Sequence, residues 1–287
     1  MKLRWRPEQV SEPEWMDAPG HSLDVVADNL DDLRRVNRAL GGVRLTLRPL
    51  RHLAARVPPD EPLRVLDVAT GGADIPRAVA AWAARARRGL LLVATDISFD
   101  FVYLARQHPG SGRRIVYVVA DARRLPFAPG AFHVVTSSLA LHHMLPDQAR
   151  DMLAEARRCA SEGVVVNDIV RGWLGYYGAF VASRLGSRNV LTWHDGPLSV
   201  LRAYTTKEMA ALAHEVGLRP VRWDSFLFYR VALTAVRCLA SPMEGAPVAR
   251  GLVPRTTAAA GHKPPRYRPL TVAHHLQGAL VKALPTK

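Results

Sequence analysis

Three carboxylates sit at matched places in the first half of this 287-residue chain. Asp67, Asp96 and Asp121 each close a short apolar run: Leu63 to Leu66, Leu90 to Thr95 and Ile115 to Ala120. Runs this apolar read as buried strands of a parallel sheet, and ligands of open α/β sheets sit at the strands' carboxyl ends. After Asp67 come Val68, Ala69, Thr70, Gly71, Gly72, Ala73 and Asp74, then an Ala-rich helical stretch from Ile75 to Arg87. Strand, tight turn and helix together open a nucleotide-binding unit. A pyrophosphate bound there would rest on the helix N-terminus, but here it would face Asp67 and Asp74. A ligand with an adenosine end and a cationic end fits better. Asp74 as a helix cap, with Pro76 in the first turn, explains the helix start. It does not explain Asp67 or the glycine pair.

These positions give each acid a task. Asp67, Ala69, Thr70, Gly71 and Gly72 are expected to cradle the ligand's cationic part. Asp96 can accept hydrogen bonds from both ribose hydroxyls, while also capping a helix from Ser98 to His108. Ile97 and Phe99 can flank the adenine. Asp121 can accept from the adenine amino group, with Ala122 beside it, and Ser138 ends a fourth strand, Phe132 to Ser138. S-adenosyl-L-methionine, which carries a sulfonium and an ammonium, is a ligand of this kind.

At residues 63–143 the chain resembles class I S-adenosylmethionine-dependent methyltransferases, and most of all the quinone-biosynthesis C-methyltransferases and related small-molecule enzymes. Leu66-Asp67-Val68-Ala69 with Gly71 and Asp74-Ile75 resembles their first motif. Asp121-Ala122-Arg123-Arg124-Leu125-Pro126-Phe127 resembles the stretch before their fourth strand. The family pattern is acid-x-Gly-x-Gly-x-Gly, and Ala69 and Ala73 replace its first and third glycines. Alanine is tolerated there where φ is negative and costs stability where φ is positive. The resemblance implies an α/β, Rossmann-like, mostly parallel seven-stranded sheet of order 3-2-1-4-5-7-6, with strand 7 antiparallel and helices on both faces.

It also implies where proton chemistry falls. Leu141-His142-His143-Met144-Leu145-Pro146-Asp147 resembles the His-Asp-Trp segment of small-molecule O-methyltransferases, whose histidine is the base. That makes His142 the candidate, although His143 and Met144 replace the Asp and Trp and one residue is inserted. His194, followed by Asp195, is a second candidate. Asn167-Asp168 is similar to the metal ligands of catechol-type enzymes. The partner acid after the fourth strand is missing, because Thr136-Ser137-Ser138 stands there, so no metal is expected. The activity implied is O-methylation of a phenolic, quinol or polyketide-type molecule. C-methylation of an activated aromatic ring, an RNA or protein substrate, and a non-catalytic cofactor-binding module remain as alternatives. The turn typical of adenine N-methyltransferases is absent from Ser137-Ser138-Leu139-Ala140.

The rest of the chain must position these groups. Apolar residues at Leu23, Val26, Leu30, Leu33, Val36 and Leu40 predict a helix from Asp24 to Leu40, stopped by Gly41-Gly42. A second helix is expected from Thr46 to Arg56, and residues 1–60 are read as a helical lid. Residues 61–240 form the methyltransferase domain, with a helix from Asp147 to Cys159 and a fifth strand from Gly163 to Ile169. Residues 171–205 are rich in aromatics and are read as a substrate cap. A helix from Thr206 to Val216 and a hairpin of about Arg219–Ser225 and Tyr229–Cys238 complete the domain.

Residues 241–287 hold seven Lys or Arg against Glu244 and are expected to be mostly irregular, with Leu270, Leu276, Leu280 and Leu284 hinting at a short amphipathic helix that touches a membrane or a partner. The formal charge of +14 permits nucleic acid or anionic membrane as a partner. Excess Arg and abundant Ala give it a compositional origin instead, so no stable nucleic-acid partner is expected. Cys159 and Cys238 form no disulfide framework, and no Cys/His cluster has zinc spacing. With no apolar leader at Met1 to Pro7 and no run of ~20 apolar residues, a cytoplasmic monomer or homodimer acting on a small aromatic substrate is expected.

Overall fold

A computed structural model describes residues 6–110, 114–227 and 229–237. Seven strands form one sheet: β1 Leu63–Val68, β2 Leu90–Asp96, β3 Ile115–Val119, β4 Phe132–Ser138, β5 Ala160–Ile169, β6 Leu218–Phe226 and β7 Arg230–Arg237. Their order is β3-β2-β1-β4-β5-β7-β6. The first five pair in parallel, and β7 runs antiparallel to β5 and β6. The order places β1 and β4 side by side, with Val68 opposite both Thr95 and Ser137. The acids expected to act together therefore end at one edge of the sheet.

Strand alternation feeds two cores. On one face Leu66, Val135, Val164 and Val166 pack with Met152, Leu153, Met209 and Leu212, which come from α5 (Pro146–Cys159) and α8 (Thr206–Glu215). On the other face Val65, Val134 and Val165 pack with Leu50, Leu53, Ile75 and Val79, from α2 (Gly42–Ala54) and α3 (Asp74–Arg85). Each buried Leu or Ile contributes about 1.5–3 kcal/mol over exposure. The remaining helices are α1 (Leu23–Ala39), α4 (Phe99–Gln107), α6 (Trp173–Gly186) and α7 (Val190–Arg202), with short 3-10 turns at Trp15–Asp17 and Leu141–His143.

Residues 6–60 divide in two. α2 is part of the sheet's cover, since its Leu50 and Leu53 lie in the core. Only the segment before it, with α1, overlies the strand ends, where Leu30 lies against Gly72. α2 starts four residues earlier than the sequence predicts. Gly41 at φ 80° turns the chain directly from α1 into α2, and Pro49 lies inside the helix. Gly42 leaves room for two side chains: a Cβ there would come within 2.4 Å of Asn37 Oδ1 and 2.7 Å of Arg230 Nη2 and push them aside. The expected cap, residues 171–205, is the α6–α7 hairpin. The expected features of residues 241–287, with Cys238, lie outside the described residues.

Candidate active site

The glycine turn is built on left-handed backbone. Ala69, Gly71 and Ala73 have φ of 53°, 51° and 55°. Both alanines that replace family glycines thus occupy the region where a side chain costs energy. Ala73, not Asp74, is the N-cap of α3. Asp67 is buried and accepts from Thr70 Oγ1 at 2.7 Å and Thr136 Oγ1 at 2.5 Å. Burial pushes its carboxyl up to about 7, against the lowering effect of the two hydroxyls. Burial also raises Asp74 and Asp96.

Asp96 bridges the glycine turn and the start of α4. Its Oδ2 accepts from Gly71 N–H at 2.8 Å and its Oδ1 from Ser98 N–H at 3.0 Å. The cap of α4 is Ser98 itself. Ile97 is exposed at the lip, and Ala122 is buried. Asp121 is engaged by Arg123, whose Nη2 donates at 2.7 Å and whose hydrogen bonds hold the carboxyl below its usual range. Ser138 accepts from Arg230 Nη2 at 3.2 Å.

The histidines split into different roles. His142 is buried in the turn after β4, with Nδ1 2.6 Å from Asp168 Oδ1. Asp168 also accepts from the Leu141 and His142 amides, at 2.8 Å and 3.3 Å. Burial would raise the Asp168 carboxyl, but His142 outweighs it and holds it low. The other nitrogen of His142, Nε2, lies 3.6 Å from Glu14 Oε1. His143 pairs through Nδ1 with Asp17 Oδ2 at 2.8 Å. Burial disfavours its charge, but Glu14 and Asp17 outweigh that and push it up to about 9. Glu14 and Asp17 thus favour the charged form of His143. Arg202 locks the turn, donating from Nε to the His142 carbonyl at 3.0 Å and from Nη2 to the His143 carbonyl at 2.7 Å.

His194 lies on α7. Its ring stacks on Trp15 with centroids 3.8 Å apart, and Nδ1 meets Asp195 Oδ1 at 2.7 Å. Asp195 accepts from the Trp15 and Met16 amides, both at 2.9 Å. This pair fastens the N-terminal segment to α7. Glu14, His142 and His143 are the set among the described residues whose ligand atoms come within 4.8 Å of one another. Arg202 Nε, 3.8 Å from Glu14 Oε1, already supplies a cation there.

Reasoning from sequence missed Arg230. Its side chain is fully buried at the head of β7. It donates to Asn167 Oδ1 at 2.8 Å and Asn37 Oδ1 at 2.6 Å. Burial lowers its pKa to about 10. An arginine opening an otherwise apolar strand was the available signal. Asn167 in turn donates to the Gly42 carbonyl and Thr46 Oγ1, each at 2.8 Å, so it joins α2 to the sheet. Glu14 and Asp17 carried no signal, because nothing local ties them to a site more than a hundred residues away.

One oxygen of Asp74, buried at the turn, has no hydrogen-bond partner among the described residues. With Asp67 and Asp96 also driven toward protonation, the turn is short of positive charge. A sulfonium or ammonium fits that deficit, and a second phosphate does not.

Residues 65–163 match the family model described as a methyltransferase domain. Human N-acetylserotonin methyltransferase, solved with S-adenosylmethionine, has 14% identity over 75% of this chain and 56% of its own, with a TM-score of 0.56. A Haloferax volcanii protein solved with the Trm112 methyltransferase activator has 15% identity over 77% of this chain and 99% of its own, with a TM-score of 0.52. The C-methylation domain of citrinin polyketide synthase has 14% identity over 65% of this chain and 50% of its own, with a TM-score of 0.50. No curated protein matches the chain. The fold is the Rossmann-like one of class I methyltransferases. On that fold, residues 65–163 are the part that matches a methyltransferase domain. Among the described residues no helix is long and apolar enough to cross a membrane.

Proposed function

We propose that this enzyme O-methylates a small aromatic hydroxyl compound, of phenolic, quinol or polyketide type, with His142 as general base. The observation that carries this reading is the buried His142–Asp168 pair, 2.6 Å apart at the adjoining ends of β4 and β5. Asp168 on Nδ1 fixes the tautomer that leaves Nε2 basic, the orienting role a carboxylate plays for a catalytic histidine. A cavity of about 150 Å³ reaches His142, walled by Val10, Met144, Leu145 and Pro146 with Arg202. A space of that size holds about one benzene-sized ring.

Gly71, Gly72, Asp67 and Asp96 would hold the cofactor's amino-acid and ribose parts, with Ile97, Asp121, Ala122 and Ser138 around the remainder. Bound S-adenosylmethionine supplies the electrophilic methyl group. The chain's own task is to place the acceptor oxygen in line and remove its proton. His142 takes that proton at Nε2. Asp168 on one side and Glu14 on the other stabilise the imidazolium that forms, and Arg202 holds the turn still. The N-terminal segment from Gln9 to Asp17 closes over the pair and keeps water out.

The test is transfer from methyl-labelled S-adenosylmethionine to a panel of phenols and quinols and to fractionated extract. The expected result is acid-stable label on a small molecule's oxygen, lost in His142→Ala while cofactor binding stays. Label on a ring carbon would assign the same proton transfer to C-methylation. Label in RNA or protein would overturn the small-molecule reading.

A further inference from the structure

The α6–α7 hairpin is built inside out for a surface element. α6 meets α7 through small residues: a Cβ on Gly196 would lie 3.3 Å from Ser183 Cβ, and a Cβ on Gly175 would lie 3.4 Å from Val200 Cγ1. Gly175 and Ser183 are the buried positions of α6. Its bulky apolar side chains stand on the opposite face. Leu174 is 61% exposed, Tyr177 60%, Val181 53% and Leu185 84%. Positions 174, 177, 181 and 185 share one side of a helix of 3.6 residues per turn. An ordinary surface helix puts that stripe toward the core and its polar residues outward.

A contiguous exposed apolar stripe marks a docking surface, and the charges around it select the occupant. Within the segment between Arg171 and Tyr204 the one acid is Asp195, which is buried, and where α1 meets the α6–α7 turn its Asp32 is also buried and accepts from Ser187 and Thr192. Arg184 and Arg188 are exposed beside the stripe. A second copy meeting this face across a two-fold axis would bring like charges together. An anionic bilayer complements them, and Leu with Tyr flanked by Arg is the composition of an interfacial helix. Fourteen residues span about 21 Å, too short to cross a bilayer and long enough to lie in its headgroup layer.

We propose that the outer face of the α6–α7 hairpin docks on an anionic lipid surface. The full chain is sedimented with vesicles of phosphatidylcholine alone and with added phosphatidylserine. Binding to the anionic vesicles that weakens with salt, and that falls about tenfold or more in a Leu174→Asp/Leu185→Asp variant, supports the proposal. Both sites are exposed, so a thermal melt should show the variant folded. Three results overturn it: no vesicle binding, binding unchanged in the variant (cationic groups elsewhere then suffice), or a dimer in light scattering that the variant dissociates.

Discussion

Ala69 and Ala73 hold left-handed backbone in a turn where the motif it resembles has glycine. For an L-residue that conformation costs about 1–2 kcal/mol, and glycine returns part of the gain through its looser unfolded chain. Ala69→Gly should therefore raise unfolding free energy by about 0.5–1 kcal/mol, measured as a shift of the urea midpoint at constant slope. An unchanged or lower midpoint would show that the alanine Cβ has packing worth more than the strain. The histidines are the other residue-scale test. Asp168→Asn keeps the size of the group that orients His142 and removes its charge. Turnover should fall by about 10²–10⁴-fold, with cofactor affinity kept. His194→Ala should leave turnover within about threefold, because His194 pairs with Asp195 and Trp15 and makes no hydrogen bond to His142 or Asp168. A large loss in His194→Ala with little in Asp168→Asn would place the chemistry at His194. The acids of this site were legible because a strand end is a local feature. The division between His142 and His143 was not, because Asp168, Asp17 and Glu14 decide it from three distant segments.

Elements were legible where periodicity was strong: β2 and β4 match their sequence-read bounds. Periodicity says which residues share a face but not where that face points. In the aromatic stretch 171–205, Leu174, Tyr177 and Leu185 turn outward, which spacing alone does not say. The junction of α1, α2 and the sheet was also hidden, because Asn37, Gly42, Asn167 and Arg230 come from four elements. That junction makes a definite prediction. Arg230 presents a planar fork to Asn37 and Asn167 while Gly42 leaves room for it. A lysine has one compact ammonium and cannot hold both acceptors in that plane. Losing a charged hydrogen bond costs about 1.5–3 kcal/mol. Arg230→Lys should lower unfolding stability by about that amount in urea melts and loosen hydrogen-exchange protection at the α1–α2 junction first. Full stability in the variant would mean that water can replace the fork.

At the scale of the whole molecule, the buried titratable groups set one pH profile. Asp67 is raised to about 7, so the folded state holds its proton more tightly than the unfolded chain. Its contribution is complete below the ordinary 3.8 and is lost as pH rises through 7. His143 is raised to about 9, so its contribution is complete below 6.5 and lost as pH climbs through 9. Asp17 and Asp168 are lowered. Their stabilisation is present above 3.8 and disappears as pH falls through their folded values. The two descending limbs overlap, and the ascending limb ends near pH 4. Stability in urea should therefore peak in mildly acidic solution and decline steadily toward pH 9. Asp67→Asn should flatten the decline between about pH 4 and 7, and His143→Gln should flatten it between about pH 6.5 and 9. The second limb belongs to the clasp between the N-terminal segment and the turn after β4. Alkaline pH should thus raise proteolytic cleavage within residues 9–17 before the sheet unfolds. A stability maximum above pH 7 would mean that Asp67 stays ionised in the folded protein, and that a cation already stands beside it.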